Sequence, residues 1–186
     1  MKKVLKYYMT LILILPAFIT LAQSDDEGSN RGYIVKVGDM APDFEIEYED
    51  GTKKNLSSFR GKVVMLQFTA SWCGVCMKEM PHIESDIWQK HKDRNDFELF
   101  GVAYGEGYDR IQFLVSKTKV TYPIVPDRSG EYFHKYAEEN AGVTRNIVIG
   151  RTGKIIFLTR LFNQREFNAM KKAINNELKK TEHGLQ

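Results

Sequence analysis

Only two cysteines occur in these 186 residues, alongside four histidines and two tryptophans. So few thiols exclude a disulfide framework, in which a small secreted domain carries several bridges. The histidines supply no evident zinc centre. Only His82 and His91 lie near the cysteines, at spacings that match no common zinc pattern, so no metal is expected. Excess charge is scarce as well. The formal net charge is +3, and Lys2, Lys3 and Lys6 supply all of it, since beyond residue 22 there are 24 basic residues facing 24 acidic ones. A neutral body gives no reason to expect nucleic acid or an anionic membrane surface as partner. No internal repeat and no second domain boundary is visible. Gly105-Glu106-Gly107 is too short for a phosphate-cradling loop and reads as a turn, and no cofactor is expected.

One long apolar run is present, from about Tyr7 to Ala22, behind the three N-terminal lysines. It is short for a membrane span, which needs about 20 residues. Thr20-Leu21-Ala22 fits a small-x-small cleavage site, so residues 1–22 read as an export signal cut near Ala22. If uncut, the segment is the protein's one route to a membrane. Residues 23–32 are polar and glycine-rich and read as a disordered linker. Residues 33–186 then form one domain of a periplasmic or otherwise exported protein.

Both cysteines fall in Trp72-Cys73-Gly74-Val75-Cys76. Before them is a strand-like run, Val63-Val64-Met65-Leu66-Gln67-Phe68. After them Met80, Ile83, Ile87 and Trp88 recur at helical spacing, which predicts a helix from about Gly74 to Lys90 with a kink at Pro81. The first turn of a helix leaves backbone N–H groups unpaired and carries the positive end of the macrodipole. A thiolate is stabilised there, so its pKa falls. Cys73 is placed as the exposed nucleophile. Cys76, one turn on, is placed to attack a mixed disulfide at Cys73. As a structural staple, a loop of about 4 residues gains only roughly 2 kcal/mol, a poor return. Outside the cytoplasm disulfides persist, and a lone CxxC there points to a catalyst acting on the disulfides of other proteins.

The remaining periodicity alternates strands with helices. Residues 44–48 read as a strand, 49–52 as a hairpin turn, 57–61 as a short turn and 97–104 as a buried strand. A helix follows around Ile111–Val115, then a short strand at Ile124-Val125 and a short helix at Tyr132–Ala137. Residues 147–149 and 155–158 form a hairpin, and Phe167, Met170, Ile174 and Leu178 share one face of a final helix. The pattern is an α/β sandwich around a mixed sheet, with a hairpin at each end.

Over about residues 35–180 the chain resembles the thioredoxin superfamily, and within it the exported TlpA/ResA-like thiol–disulfide oxidoreductases. The resemblance rests on Val37-Gly38-Asp39-Met40-Ala41-Pro42-Asp43-Phe44, Leu56-Ser57-Ser58-Phe59-Arg60-Gly61-Lys62, Phe68 through Cys76, and Met77-Lys78-Glu79-Met80-Pro81. The opening segment is shared with peroxiredoxin and AhpC/TSA relatives. The resemblance implies a thioredoxin-like fold, a central mixed sheet flanked by helices with an N-terminal β-hairpin extension. It implies Cys73 as nucleophile, Cys76 as resolving thiol and Glu79 as an acid that relays protons or tunes the thiols. It makes Trp72, Val143, Thr144 and Arg145 the substrate-contact residues. The implied partners are disulfide-bearing exported proteins, apocytochrome c among them, and a membrane electron donor.

Three departures stand out. Thioredoxins proper carry a buried Asp where this chain has Gln67, which cannot titrate. Where the superfamily places a cis-proline, this chain has Thr144. A cis bond before a non-proline residue costs about 2.5–4 kcal/mol, so a trans bond is expected, with the hydroxyl available to the sulfurs. Peroxiredoxins use an arginine near Arg145, one residue out of register, and a threonine where this chain has Ala70. Arg145 is therefore expected to be a surface or substrate-contact residue. His82 and His134 are expected to be exposed helix residues without partners. Two other readings stay open: a thiol peroxidase of AhpC/TSA type, and a non-catalytic binding module.

Overall fold

The structure is a computed structural model that describes residues 31–180. The export signal expected over 1–22 and most of the linker expected over 23–32 lie outside the described residues. Arg31 and Gly32, at the linker's end, are tied into the fold. Arg31 pairs with Glu166 at 2.5 Å and donates to the Arg160 carbonyl at 3.0 Å, while the Gly32 carbonyl accepts from the Glu138 amide at 3.0 Å. Among the described residues no helix is long and apolar enough to cross a membrane.

The chain opens with a small antiparallel hairpin, β1 (Glu45–Glu47) and β2 (Lys53–Asn55). Its turn is closed by the Asp50 carboxylate, which accepts from the Thr52 amide at 2.9 Å and the Thr52 hydroxyl at 2.7 Å. Gly51 takes φ +80°, the left-handed region that glycine enters without cost. A 3₁₀ turn at Leu56–Phe59, capped by Asp43 through Ser57, leads into the main sheet.

That sheet has five strands in the order β5-β4-β3-β6-β7. They are β3 (Val63–Thr69), β4 (Phe97–Tyr104), β5 (Ile124–Asp127), β6 (Arg145–Ile149) and β7 (Ile155–Arg160). β3, β4 and β5 run parallel, as helix-containing crossovers require. β6 is antiparallel to both β3 and β7. The helices are α1 (Gly74–Ile83), α2 (Gln89–His91), α3 (Tyr108–Thr118), α4 (Glu131–His134) and α5 (Gln164–Lys179).

β3 is the central strand, and all seven of its residues are buried. Its side chains alternate between two cores. Val64, Leu66 and Phe68 join Phe44, Phe100, Phe133 and Tyr136 on one face. Val63 and Met65 join Met80, Ile83, Leu114, Phe167 and Ile174 on the other. The fold class is therefore the one expected.

The kink expected at Pro81 takes a different form. α1 runs through Pro81 to Ile83, and a π-helical turn, Glu84–Trp88, then joins it to α2. Pro81 has no N–H to return to the Met77 carbonyl, and a wide turn just after it is one way a helix absorbs such a gap. Ile83 and Ile87 both stay buried across it.

Phe68 packs edge-on against Phe133 at 5.4 Å between ring centroids and lies 5.6 Å from Tyr136. Phe68→Ala is expected to cost about 3–5 kcal/mol, read as a lower denaturant midpoint. A loss under 1 kcal/mol would show that the core on this face repacks freely.

Candidate active site

β3 ends at Thr69, and the chain turns over Ala70–Cys73 before α1 begins. The turn is closed by the Cys73 amide donating to the Ala70 carbonyl at 3.1 Å. It is also held from outside. The buried Glu106 carboxylate accepts from the Ser71 amide at 2.8 Å and the Ser71 hydroxyl at 2.6 Å. Residues 105–107 do turn as expected, but the sequence reading missed that Glu106 clamps the loop carrying the cysteines.

Cys73 is the N-cap of α1, and its Sγ accepts the Cys76 N–H at 3.2 Å. The two cysteines are joined by a disulfide, with Cα atoms 5.3 Å apart. Against the expectation of an exposed nucleophile, Cys73 is buried at 8% exposure, more open than Cys76 at 0%, while the neighbouring Trp72 is 62% exposed. An N–H aimed at Cys73 from a helix N-terminus stabilises charge on that sulfur when the bond opens.

Thr144, just before β6, lies against the same sulfurs. Its Oγ1 is 3.2 Å from Cys73 Sγ and 3.3 Å from Cys76 Sγ. As expected, no cis peptide bond occurs among the described residues. Of the late-loop residues grouped with it, Val143 is buried at 4% exposure. Arg145 differs from expectation. It is 1% exposed and follows Thr144 on the alternating strand, so it sits opposite Phe68 on the face away from α1. Its guanidinium lies 4.4 Å from the Tyr33 ring and donates to the Gly142 carbonyl at 3.0 Å and the Arg31 carbonyl at 2.8 Å. Arg145 is thus a buried tie for the N-terminal segment and not a surface residue. Period-two alternation explains why: if Thr144 faces the sulfurs, its neighbour cannot.

Glu79 points from α1 down to the sheet and is 1% exposed. Its Oε1 accepts from Asn146 Nδ2 at 2.7 Å, and the same Nδ2 donates to Thr159 Oγ1 at 2.8 Å. Asn146 is the cross-strand partner of Gln67, whose Oε1 accepts from the Tyr122 hydroxyl at 2.6 Å. Burial pushes the Glu79 carboxyl up to about 7, against the lowering effect of the Asn146 and Gln67 amides. A carboxyl at that value takes and gives a proton near neutral pH. Asn146, Thr159 and Tyr122 were not singled out from the sequence. One signal was available for Asn146: it interrupts an apolar strand, as Gln67 does.

His82 and His134 lie off the site and have aromatic partners. His82 is exposed and stacks on Phe162 at 4.9 Å, and the partly buried His134 lies 3.4 Å from the Tyr104 hydroxyl. No cluster of three or more metal-ligating side chains occurs among the described residues.

The Redoxin family profile matches residues 36–175. The thiol-disulfide oxidoreductase ResA of Oceanobacillus iheyensis is 32% identical over 127 residues, spanning 66% of this chain and 64% of that protein. ResA of Geobacillus thermodenitrificans is 32% identical over 123 residues, 65% of this chain and 67% of that protein. In solved structures, a Bacteroides thetaiotaomicron protein provisionally named a protein disulfide isomerase superposes with a TM-score of 0.77 at 54% identity, covering 82% of this chain and 96% of its own. A Chlorobium tepidum protein, provisionally named thiol:disulfide interchange protein DsbE, gives 0.64 at 25% identity, covering 77% and 99%.

The Glu79 environment has a consequence for stability. Its carboxyl holds a proton more tightly in the folded chain, at about 7, than at the ordinary 4.5. The folded state therefore binds more protons between those values, and stability falls as pH rises through them. Glu79→Gln removes that loss. Wild type and variant are expected to be equally stable near pH 4, with the variant ahead by up to about 3 kcal/mol at pH 8. Parallel stability–pH curves would show that the carboxyl is not strained by burial.

Proposed function

The chain belongs to the Redoxin family, with the TlpA/ResA-like proteins of the thioredoxin superfamily, and on that premise we propose that it is an exported thiol–disulfide oxidoreductase that reduces protein disulfides. The observation that carries this reading is the Cys73–Cys76 disulfide at the N-terminus of α1, with Cys73 Sγ accepting the Cys76 N–H at 3.2 Å.

The cycle starts from the dithiol. Cys73 thiolate attacks a substrate disulfide; a Cys73–substrate bond forms and the substrate S–S bond breaks, releasing a substrate thiolate that takes up a proton. Cys76 then loses its proton, with Glu79 as the nearest acid along the helix, and attacks Cys73 Sγ. The Cys73–Cys76 bond forms, the mixed disulfide breaks, and the substrate leaves reduced by two electrons. A membrane dithiol donor returns the protein to its reduced form. Net reduction requires the protein's couple to be more negative than the substrate's. Exposed Trp72 suits the docking surface beside Cys73. Val143 and Arg145, with buried side chains, are left with backbone contacts only. Disulfide-bearing exported proteins, apocytochrome c among them, are the substrate class.

The peroxidase reading is the weaker one. Ala70 stands where peroxiredoxins carry threonine, and Arg145 is turned to the far face of the sheet. Nothing comparable favours the binding-module reading.

Two outcomes test the proposal. Cys76→Ser is expected to accumulate mixed disulfides through Cys73, while Cys73→Ser accumulates none, as read by non-reducing gels and mass spectrometry. Equal trapping by both variants would remove the assignment of nucleophile and resolver. Export predicts that the mature protein begins near Gln23. Intact-mass analysis finding residues 1–22 retained would overturn cleavage.

A further inference from the structure

We propose that Thr144 is a catalytic residue whose hydroxyl donates a hydrogen bond to whichever of the two cysteine sulfurs carries negative charge. The inference rests on the dithiol-exchange reading above and adds a residue to its chemistry.

The geometry is nearly symmetric. Thr144 Oγ1 lies 3.2 Å from Cys73 Sγ and 3.3 Å from Cys76 Sγ, both within hydrogen-bonding reach of sulfur. A hydroxyl has one proton and rotates freely about its C–O bond, so it serves either sulfur without moving the backbone. That backbone is itself fixed: the Thr144 carbonyl accepts from the Leu161 amide at 3.1 Å. Thr144 is 3% exposed, so little water competes for the proton. A buried hydroxyl needs a partner, and the two sulfurs are the partners it has.

The charge on sulfur moves during exchange. It starts on Cys73, passes to the leaving substrate thiol on capture, and arises on Cys76 before resolution. The Cys76 N–H is aimed at Cys73 alone. The hydroxyl reaches both. It therefore supports the attacking sulfur in each half of the cycle, and donors to ionised groups are the strong ones. A proline at this position has neither a hydroxyl nor an N–H and cannot do this. The buried charged groups on these elements, Glu79 of α1, Glu106 after β4 and Arg145 of β6, are all left in place by substitution at 144, as are the less buried Lys78 and His82 of α1 and Glu98 and Tyr104 of β4.

The test uses Thr144→Val, which keeps the shape and removes the hydroxyl, and Thr144→Ser, which keeps the hydroxyl. An aromatic disulfide of thionitrobenzoate reports both steps in one reaction. Capture by Cys73 releases one coloured thiolate, and attack by Cys76 on the mixed disulfide releases the second. Thr144→Val is expected to slow each release about tenfold at neutral pH, and to raise the Cys73 titration, read by thiolate absorbance in a Cys76→Ser background, by about one pH unit. Thr144→Ser is expected to stay within about twofold. Melting curves check folding, and Thr144→Ala against Thr144→Ser gives the same comparison if the valine variant does not fold. A folded Thr144→Val protein with both releases and the titration unmoved overturns the proposal, as does slowing of capture alone. These readouts need no protein substrate. Failure of wild type to reduce any protein disulfide would count against the oxidoreductase reading, whereas an unmoved titration counts against Thr144.

Discussion

Complete burial of β3 is the constraint on which the rest depends. The strand lies in the middle of the sheet, paired with β4 on one side and β6 on the other, so its C-terminal end is fixed by neighbours on both sides. The chain leaves that end through a turn of four residues and enters α1 at once. The redox pair sits at this junction, where a rigid strand hands over to the positive end of a helix. Its position therefore depends little on the loop's own preferences. Glu106 completes the support by occupying both hydrogen-bond donors of Ser71.

The face of β3 beneath α1 carries a polar seam that an economical core would avoid. Gln67, Asn146 and Thr159 follow one another across three neighbouring strands, all at 2% exposure or less, and Glu79 descends onto them from the helix. Burying a carboxyl is expensive, and the group responds by holding its proton to higher pH. The Asn146 and Gln67 amides favour the ionised form, but they offset only part of the cost of burial. The result is a carboxyl that titrates at about 7, one helical turn from Cys76. On the proposed dithiol exchange, such a carboxyl is suited to accept a thiol proton and return it.

Arg145 shows how strand alternation separates neighbours. Thr144 faces the sulfurs, and Arg145 turns its charge under Tyr33, where it binds two carbonyls and draws the N-terminal segment onto the sheet. Burial and the nearby Arg31 and Arg160 hold its pKa below the ordinary arginine value. This arginine gives rigidity to the strand that presents Thr144 and makes no contribution at the sulfurs through its side chain.

Much of the fold was legible in sequence because it rests on local pattern. The apolar run at 63–68, the periodic residues at 80, 83 and 87, and the spacing of the cysteines at the intervening turn each carry their own signal. From these came the alternation of strands and helices, the mixed sheet and the Cys73/Cys76 pair. The contacts that complete the site leave no local signal, because they join residues far apart in sequence; Thr144 and Glu79 were marked only by the family resemblance, and Glu106 and Asn146 not at all. Ser71 meets Glu106 across 35 positions, Glu79 meets Asn146 across 67 and Cys73 meets Thr144 across 71. Strand order decides these meetings, and no periodicity encodes it. The sequence determined that a dithiol stands at a helix start; only the packed sheet brought Thr144 against both sulfurs, Glu79 onto Asn146 and Glu106 onto Ser71, since side chains from separate strands meet only once hydrogen-bonded register is set.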